Sequence, residues 1–210
     1  PEPGDEFGGF KILEEIEEGG MGIVYQALQL SLNRKVALKV LSERFSTDSM
    51  FRARFKREAA SMAALEHAHI VQVYDRGEIN GLLYFAMQYV KGRDLRYVLE
   101  EESHLPVARA TEYVIQIAKG LEYAHNHGII HRDIKPDNIM IVDETDTVKI
   151  TDFGIAAMQN ESEASMGLTL TNYGMGTRTY MAPEQERNAK HADGRADIYA
   201  LGVTFYELLT

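Results

Sequence analysis

The sequence predicts an α+β chain: a five-stranded sheet with one main helix, followed by a mainly helical remainder. Three observations carry that reading. Short strand patterns flank a glycine cluster near the start, a single stripe of helical period follows them, and after Lys91-Gly92 the periodicity lengthens into long helices.

Pro1–Gly9 is acidic and rich in Pro and Gly, so it reads as a linker or chain edge rather than a signal peptide. Phe10–Ile16 and Ile23–Leu28 are expected strands on either side of Gly19-Gly20-Met21-Gly22, and Lys35–Val40 is a third. Asp48–Leu65 carries Phe51, Phe55, Ala59, Met62 and Leu65 at helical spacing, with Thr47 or Asp48 able to cap its start. Val71–Tyr74 and Leu82–Met87 complete the sheet, turned at Asn80-Gly81, a pair suited to the left-handed conformations of a tight hairpin.

Beyond Lys91-Gly92, Pro106 opens a long helix with Val107, Ala110, Val114, Ile117, Leu121 and Ala124 on one face, closed at Gly128. Ile139–Val142 and Val148–Ile150 form a short hairpin across Asp143–Thr147. Gln159–Gly176 is polar and lacks periodicity, which predicts a long mobile loop of the kind usually kept for function. Ile198–Thr210 reads as an apolar helix without an end signal, with Ile198, Leu201, Phe205 and Leu208 on one stripe.

Composition narrows the function classes. Apolar residues make up 45% and charged residues 26% of 210 positions, an ordinary globular balance. With no cysteine, disulfides and thiolate metal sites are excluded, and a reducing cytoplasm is permitted. A formal charge of −10 argues against non-specific binding to nucleic acid or to anionic membranes. The apolar run Leu82–Met87 is far too short to span a bilayer.

Several residues stand out chemically. Glycines at 19, 20 and 22 lie between two strands, where backbone can approach a phosphate without a Cβ in the way. A plain hairpin turn explains them equally well, and the strand-glycine-strand context rejects a dinucleotide fold. Glu58 falls on the apolar stripe of its helix, so a cation is expected nearby, and Lys39, alone between apolar strand residues, is the candidate. His131-Arg132-Asp133-Ile134-Lys135-Pro136-Asp137-Asn138 crowds cations, carboxylates and an amide into a segment that Pro136 bars from regular helix. Asp152-Phe153-Gly154 follows the hairpin with a further carboxylate, and oxygens from Asn138 and Asp152 suit a hard cation such as Mg²⁺.

Together these motifs resemble the eukaryotic-type protein kinases, most of all the bacterial serine/threonine kinases. The likeness runs from about Phe10 to Thr210 and includes Val36-Ala37-Leu38-Lys39, Glu58, His131–Asn138, Asp152-Phe153-Gly154, Ala182-Pro183-Glu184 and Asp197-Ile198-Tyr199-Ala200-Leu201-Gly202. It implies a bilobal fold with an antiparallel N-lobe over about 10–87, a hinge at about 88–92, and a mainly helical, incomplete C-lobe over about 93–210. ATP is the implied co-substrate, Mg²⁺ the cofactor and protein hydroxyls the acceptors.

By that resemblance, Lys39 holds the α- and β-phosphates and pairs with Glu58, Asp133 takes the acceptor proton, and Lys135 neutralises the moving phosphoryl. Asn138 and Asp152 hold the metal. Val24 and Ala37 cover the adenine from one side and Met140 from the other; Met87 is the gatekeeper. The backbone of Gln88 and Val90 meets the adenine edge, Asp94 reaches the ribose, and Ile16, Gly19, Gly20 and Gly22 complete the nucleotide site. Met62, Val73, His131 and Phe153 form an apolar spine. Thr177 bonds Asp133 and Lys135, which, with the position of Lys135, resembles the serine/threonine branch. Thr169 and Thr171 resemble autophosphorylated sites answered by Arg132, implying kinase-kinase association.

The chain departs from the family pattern in two places. Glu17 replaces the first glycine of the loop, a modest repulsion of triphosphate unless it points to solvent, and Gln88 replaces a common acidic hinge residue. The later C-lobe helices lie outside the sequence. This predicts an uncovered closing helix, an unpaired buried Glu184, and poor solubility and activity for residues 1–210 alone.

Two other readings compete. A scaffolding pseudokinase would normally lack Lys39, Asp133 or Asp152, and all three are present. A small-molecule kinase of the aminoglycoside or choline type would lack the long loop ending in Ala182-Pro183-Glu184. His125, His127 and His131 read as capping and spine residues rather than a metal cluster, and Asp143–Asp146 as a solvated turn.

Overall fold

The computed structural model describes residues 1–153, 177–187 and 192–210. They form two compact units, one of Pro1–Ala64 with Gln72–Val90 and one of Leu65–Val71 with Lys91–Thr210. The division after Val90 falls inside the expected connection at 88–92.

The first unit is an antiparallel sheet with the strand order β1-β2-β3-β4-β6-β5, formed by β1 (Glu6–Phe7), β2 (Phe10–Gly19), β3 (Gly22–Gln29), β4 (Arg34–Leu41), β5 (Val73–Ile79) and β6 (Leu82–Gln88). It has six strands where the sequence predicts five. The additional strand lies inside the expected linker: Phe7 pairs with Phe10 and is buried, so one aromatic draws the segment onto the sheet edge. β5 begins later than expected and runs on through Asp75, Arg76 and Glu78 to the Asn80-Gly81 turn. An edge strand leaves one side to solvent and so tolerates these charges. Both turn residues are left-handed, with φ of 52° and 82°.

Alternation divides the side chains between the faces of this sheet. Phe10, Ile12, Tyr25, Ala27, Val36, Leu38, Val40, Tyr84 and Ala86 pack on one face. Helix α2 (Ser49–Ala63) packs on the other through Phe55, whose ring lies 4.8 Å from Phe85. Asp48 caps the helix by accepting from the Met50 and Phe51 amides. Phe51, Phe55, Ala59 and Met62 are all buried as their spacing predicts, each large side chain contributing about 1.5–3 kcal/mol. Leu65 lies past the helix end and joins the core of the second unit. A short helix, α1 (Glu43–Thr47), precedes α2 and has no counterpart in the sequence reading.

The second unit contains a small sheet, β7 (Gly92–Asp94), β8 (Ile139–Val142) and β9 (Val148–Ile150), and helices α3 (Leu95–Glu102), α4 (Val107–Asn126), α5 (Pro183–Arg187) and α6 (Gly194–Leu209). Ala110, Tyr113, Ile117, Leu121 and Ala124 of α4 are buried at its centre. Val107, expected on that face, is 68% exposed because it begins the first turn. Gly128 ends the helix at φ 74°, its amide bonded to the His125 carbonyl and the next amide to that of Ala124.

Helix α6 turns a different stripe inward from the one expected. Ala196, Asp197, Ala200, Leu201, Thr204 and Leu208 are buried, whereas Ile198 is 53% exposed and Phe205 half-buried. Small side chains let this face press against α4, which turns the bulkier Ile198 outward. Glu184, expected to be buried, is exposed at the start of α5, so the predicted desolvation cost does not arise there. Among the described residues no helix is long and apolar enough to cross a membrane.

Candidate active site

Strand register assembles the first unit's contribution. Val24 stands opposite Lys39, Lys39 opposite Phe85, and Ala37 opposite Met87, so Val24, Ala37, Lys39 and Met87 share one face of the sheet. Lys39 is 8% exposed, a buried ammonium in the middle of a central strand. Glu58 is half-buried rather than packed in the core, and its carboxylate receives Arg57 Nη2 at 2.9 Å. A side chain at the margin of the apolar stripe can still reach solvent, which helical spacing alone does not distinguish.

The glycine cluster forms a tight hairpin, Gly19 pairing with Gly22. A Cβ on Gly22 would lie 2.0 Å from the Val40 carbonyl oxygen, and its φ is 148°, so packing alone requires this glycine. Gly19 and Gly20 face open space, which leaves them sterically free to approach a phosphate. Two contacts from the α1 corner hold the turn: Arg44 Nη2 donates to the Gly20 carbonyl (2.6 Å), and the Ser42 amide to that of Met21 (2.8 Å). Ile16 and Glu17 are exposed on β2, so Glu17 takes the position expected to be harmless. The Gln88 amide is committed to the Gln72 carbonyl (2.8 Å), so any bond from Gln88 to a base falls to its carbonyl. Val90 is half-buried at the end of this unit.

In the second unit the His131–Asn138 segment folds into a polar loop ending in a 3₁₀ turn, Pro136–Asn138. Asn138 Nδ2 donates to both the Asp133 carbonyl (2.7 Å) and Asp133 Oδ2 (2.9 Å), and Lys135 Nζ lies 3.4 Å from the same oxygen. Burial pushes the Asp133 carboxyl above its ordinary value, opposed by the Lys135 ammonium, the His131 ring and the Asn138 amide. Because the Asn138 amide nitrogen is turned toward Asp133, its oxygen is the atom left for other partners. Asp152 sits at φ 59°, a left-handed conformation that a carboxylate adopts more readily than most side chains. Asn138 and Asp152 thus supply hard oxygen donors that fit Mg²⁺.

Phe153 packs edge-on against His131 (4.6 Å), and His131 Nε2 bonds the Thr151 carbonyl (2.7 Å). Met140 is half-buried on β8. Asp94 has a role the sequence reading missed: its carboxylate caps α3 by accepting from the Tyr97 amide at 2.7 Å. Asp146 accepts from Tyr113 and Arg109, so the acidic turn is tied down by its neighbours. Gly154, the expected loop at 159–176 with Thr169 and Thr171, and the side chain of Thr177 lie outside the described residues.

Asp197 is fully buried and anchors the catalytic segment from beneath. Its Oδ1 accepts from the Arg132 amide (2.7 Å), and its Oδ2 from the His131 amide (2.9 Å) and the His125 ring (2.8 Å). A lone carboxylate between Ala196 and Ile198 in an apolar helix was the signal for such a role. Gln185 is buried too and donates to the Arg132 carbonyl at 2.7 Å.

Comparison with known proteins agrees with this arrangement. The family described as "Protein kinase domain" matches residues 10–210. A probable serine/threonine-protein kinase of Clostridium acetobutylicum is 44% identical over 201 residues, covering 96% of this chain and 30% of that protein. PknF of Mycobacterium tuberculosis, a serine/threonine-protein kinase, is 44% identical over 212 residues, 99% of this chain and 44% of its own length. This chain therefore spans less than half of these curated relatives. Among solved structures, the PknI kinase domain of Mycobacterium tuberculosis superposes with a TM-score of 0.80 at 33% identity, over 99% of this chain and 76% of that one. The chain belongs to the protein kinase domain family, in its bacterial serine/threonine branch.

Proposed function

We propose that this domain transfers the γ-phosphoryl group of ATP to serine and threonine hydroxyls of protein substrates. The observation that carries the reading is the Asp133 carboxylate, held on one oxygen by Asn138 and Lys135 and poised by burial to accept a proton. In the step, the acceptor oxygen bonds to the γ-phosphorus, the β–γ bridging oxygen leaves with ADP, and the hydroxyl proton passes to Asp133. Lys135, beside the same carboxylate, offsets negative charge on the phosphoryl as it moves.

Asn138 and Asp152 would hold Mg²⁺, which when bound neutralises phosphate oxygens. The first unit's part is to bind the nucleotide: Val24, Ala37 and Met87 against the base, Gln88 and Val90 through backbone, Lys39 at the phosphates, and Gly19 and Gly20 close to them. A Lys39–Glu58 pair requires Glu58 to exchange its Arg57 partner for Lys39 when nucleotide is bound. Asp94 would meet the ribose through the oxygen not used in capping. We assign Thr169 and Thr171 as autophosphorylation sites that pair with Arg132, through transient association of two copies. The cytoplasm, which supplies ATP and tolerates a cysteine-free chain, is the compartment this reading assigns.

The test uses the full-length protein with γ-labelled ATP, Mg²⁺ and a general protein acceptor. Labelled phosphoserine and phosphothreonine are expected, lost in Asp133→Asn while nucleotide still binds. Label in phosphotyrosine alone, or normal turnover by Asp133→Asn, would refute the reading. Phosphosites mapped elsewhere than 169 and 171 in active enzyme would remove the autophosphorylation assignment.

A further inference from the structure

We propose that Gln185 is a positioning residue for Asp133, acting through the peptide bond that joins Arg132 to Asp133. This rests on the assignment of Asp133 as the base. Arg132 has φ 67°, a left-handed conformation that costs a non-glycine residue free energy and persists only where surroundings hold it. The peptide leaving Arg132 is gripped on both edges. Its carbonyl accepts from Gln185 Nε2 at 2.7 Å, and its N–H, that of Asp133, donates to His131 Nδ1 at 3.2 Å. The Arg132 amide on the preceding peptide is bound by Asp197 Oδ1.

A peptide plane bonded from both sides cannot rotate without breaking one of the bonds. Its orientation sets the direction of the Cα–Cβ bond of Asp133, and so where the carboxylate stands before Asn138 and Lys135 act on it. Asp197 and His131 both hold amide hydrogens of this segment, and Gln185 is the residue holding the carbonyl of the peptide that enters Asp133.

The position of Gln185 makes that contact firm. It is 5% exposed, and its own amide bonds the Ala182 carbonyl (2.9 Å), fixing the first turn of α5. Helix α5 begins in Ala182-Pro183-Glu184-Gln185, directly after the segment Thr177–Tyr180. The side-chain amide therefore ties that stretch of chain to the catalytic carboxylate. A residue needed only to fill space would serve as well with an apolar side chain of the same length. The bond to a carbonyl next to a left-handed residue calls for a donor.

The experiment compares full-length wild type with Gln185→Met, which keeps length and bulk without a donor, and Gln185→Glu, which keeps shape but sets an acceptor against the carbonyl. Asp133→Asn is the control, and kcat, KM for ATP and Tm are measured together. For Gln185→Met a fall in kcat of about tenfold is expected, with KM for ATP changed less than about twofold. The carboxyl introduced by Gln185→Glu, buried against a carbonyl oxygen, has its pKa raised and regains a donor proton as pH falls. Its kcat relative to that of Gln185→Met is therefore expected to rise toward acid. Wild-type kcat in Gln185→Met, or a lowered Tm with kcat per folded molecule unchanged, would reduce Gln185 to packing and overturn the proposal. So would a ratio of the two variants that does not change with pH. Normal turnover by Asp133→Asn would instead overturn the assignment beneath it.

Discussion

Replacing Asp197 by Asn changes one atom in a fully buried site that carries three bonds. Asn has one acceptor oxygen where Asp has two. If that oxygen faces His131 and His125, the new amide group confronts the Arg132 N–H, donor against donor. In the opposite orientation the His131 N–H is stranded, while His125 can adapt by changing tautomer. Either way one buried backbone donor loses its partner, at about 1–3 kcal/mol. The bonds that survive lose their charge assistance, about 1 kcal/mol each. The sum is about 3–5 kcal/mol, which for a domain of this size lowers Tm by roughly 6–15 °C. Because both lost contacts support the residues before Asp133, kcat should fall well beyond any change in KM for ATP. Thermal melts and steady-state kinetics on the full-length protein test both. A melt within about 2 °C of wild type, together with unchanged kcat, would refute the claim that this carboxylate organises the catalytic segment.

Gly22→Ala should destabilise strongly, since the new Cβ would fall 2.0 Å from the Val40 carbonyl oxygen at an unfavourable φ; Gly20→Ala should leave Tm nearly unchanged, and the two melts decide it. Arg44→Ala should raise KM for ATP severalfold with little effect on Tm, because the Gly20 carbonyl loses its anchor on an exposed corner; an unchanged KM would make that contact incidental. Asp133 works as an ionised base with its pKa raised, so kcat/KM should fall on the acid side at a pH above the ordinary carboxylate value of 3.8. Lys135→Ala removes a cation that favours ionisation and should move that limb to higher pH in a pH–rate profile; a shift to lower pH would contradict the charge assignment.

Period and punctuation in the sequence already determine the sheet, the long helix and the hairpin. A side chain repeats its face every second residue in a strand and about every fourth in a helix, and Asn80-Gly81 and Gly128 mark where the chain must turn. The catalytic loop was legible for a related reason: so many charges beside a proline have no low-cost structural use. Period does not say how far a stripe is covered. Glu58 and Val107 lie on apolar faces yet stay partly or largely in solvent, and α6 buries a face of small residues rather than its bulkiest ones. Only the tertiary structure decides which carbonyl meets which donor. Asp197 reaches His131 and Arg132 across 65 residues or more, and Gln185 reaches Arg132 across 53. Such bonds depend on where two distant backbones come to rest, and that position is set by the packing of α4, α5 and α6 together, which no local pattern encodes.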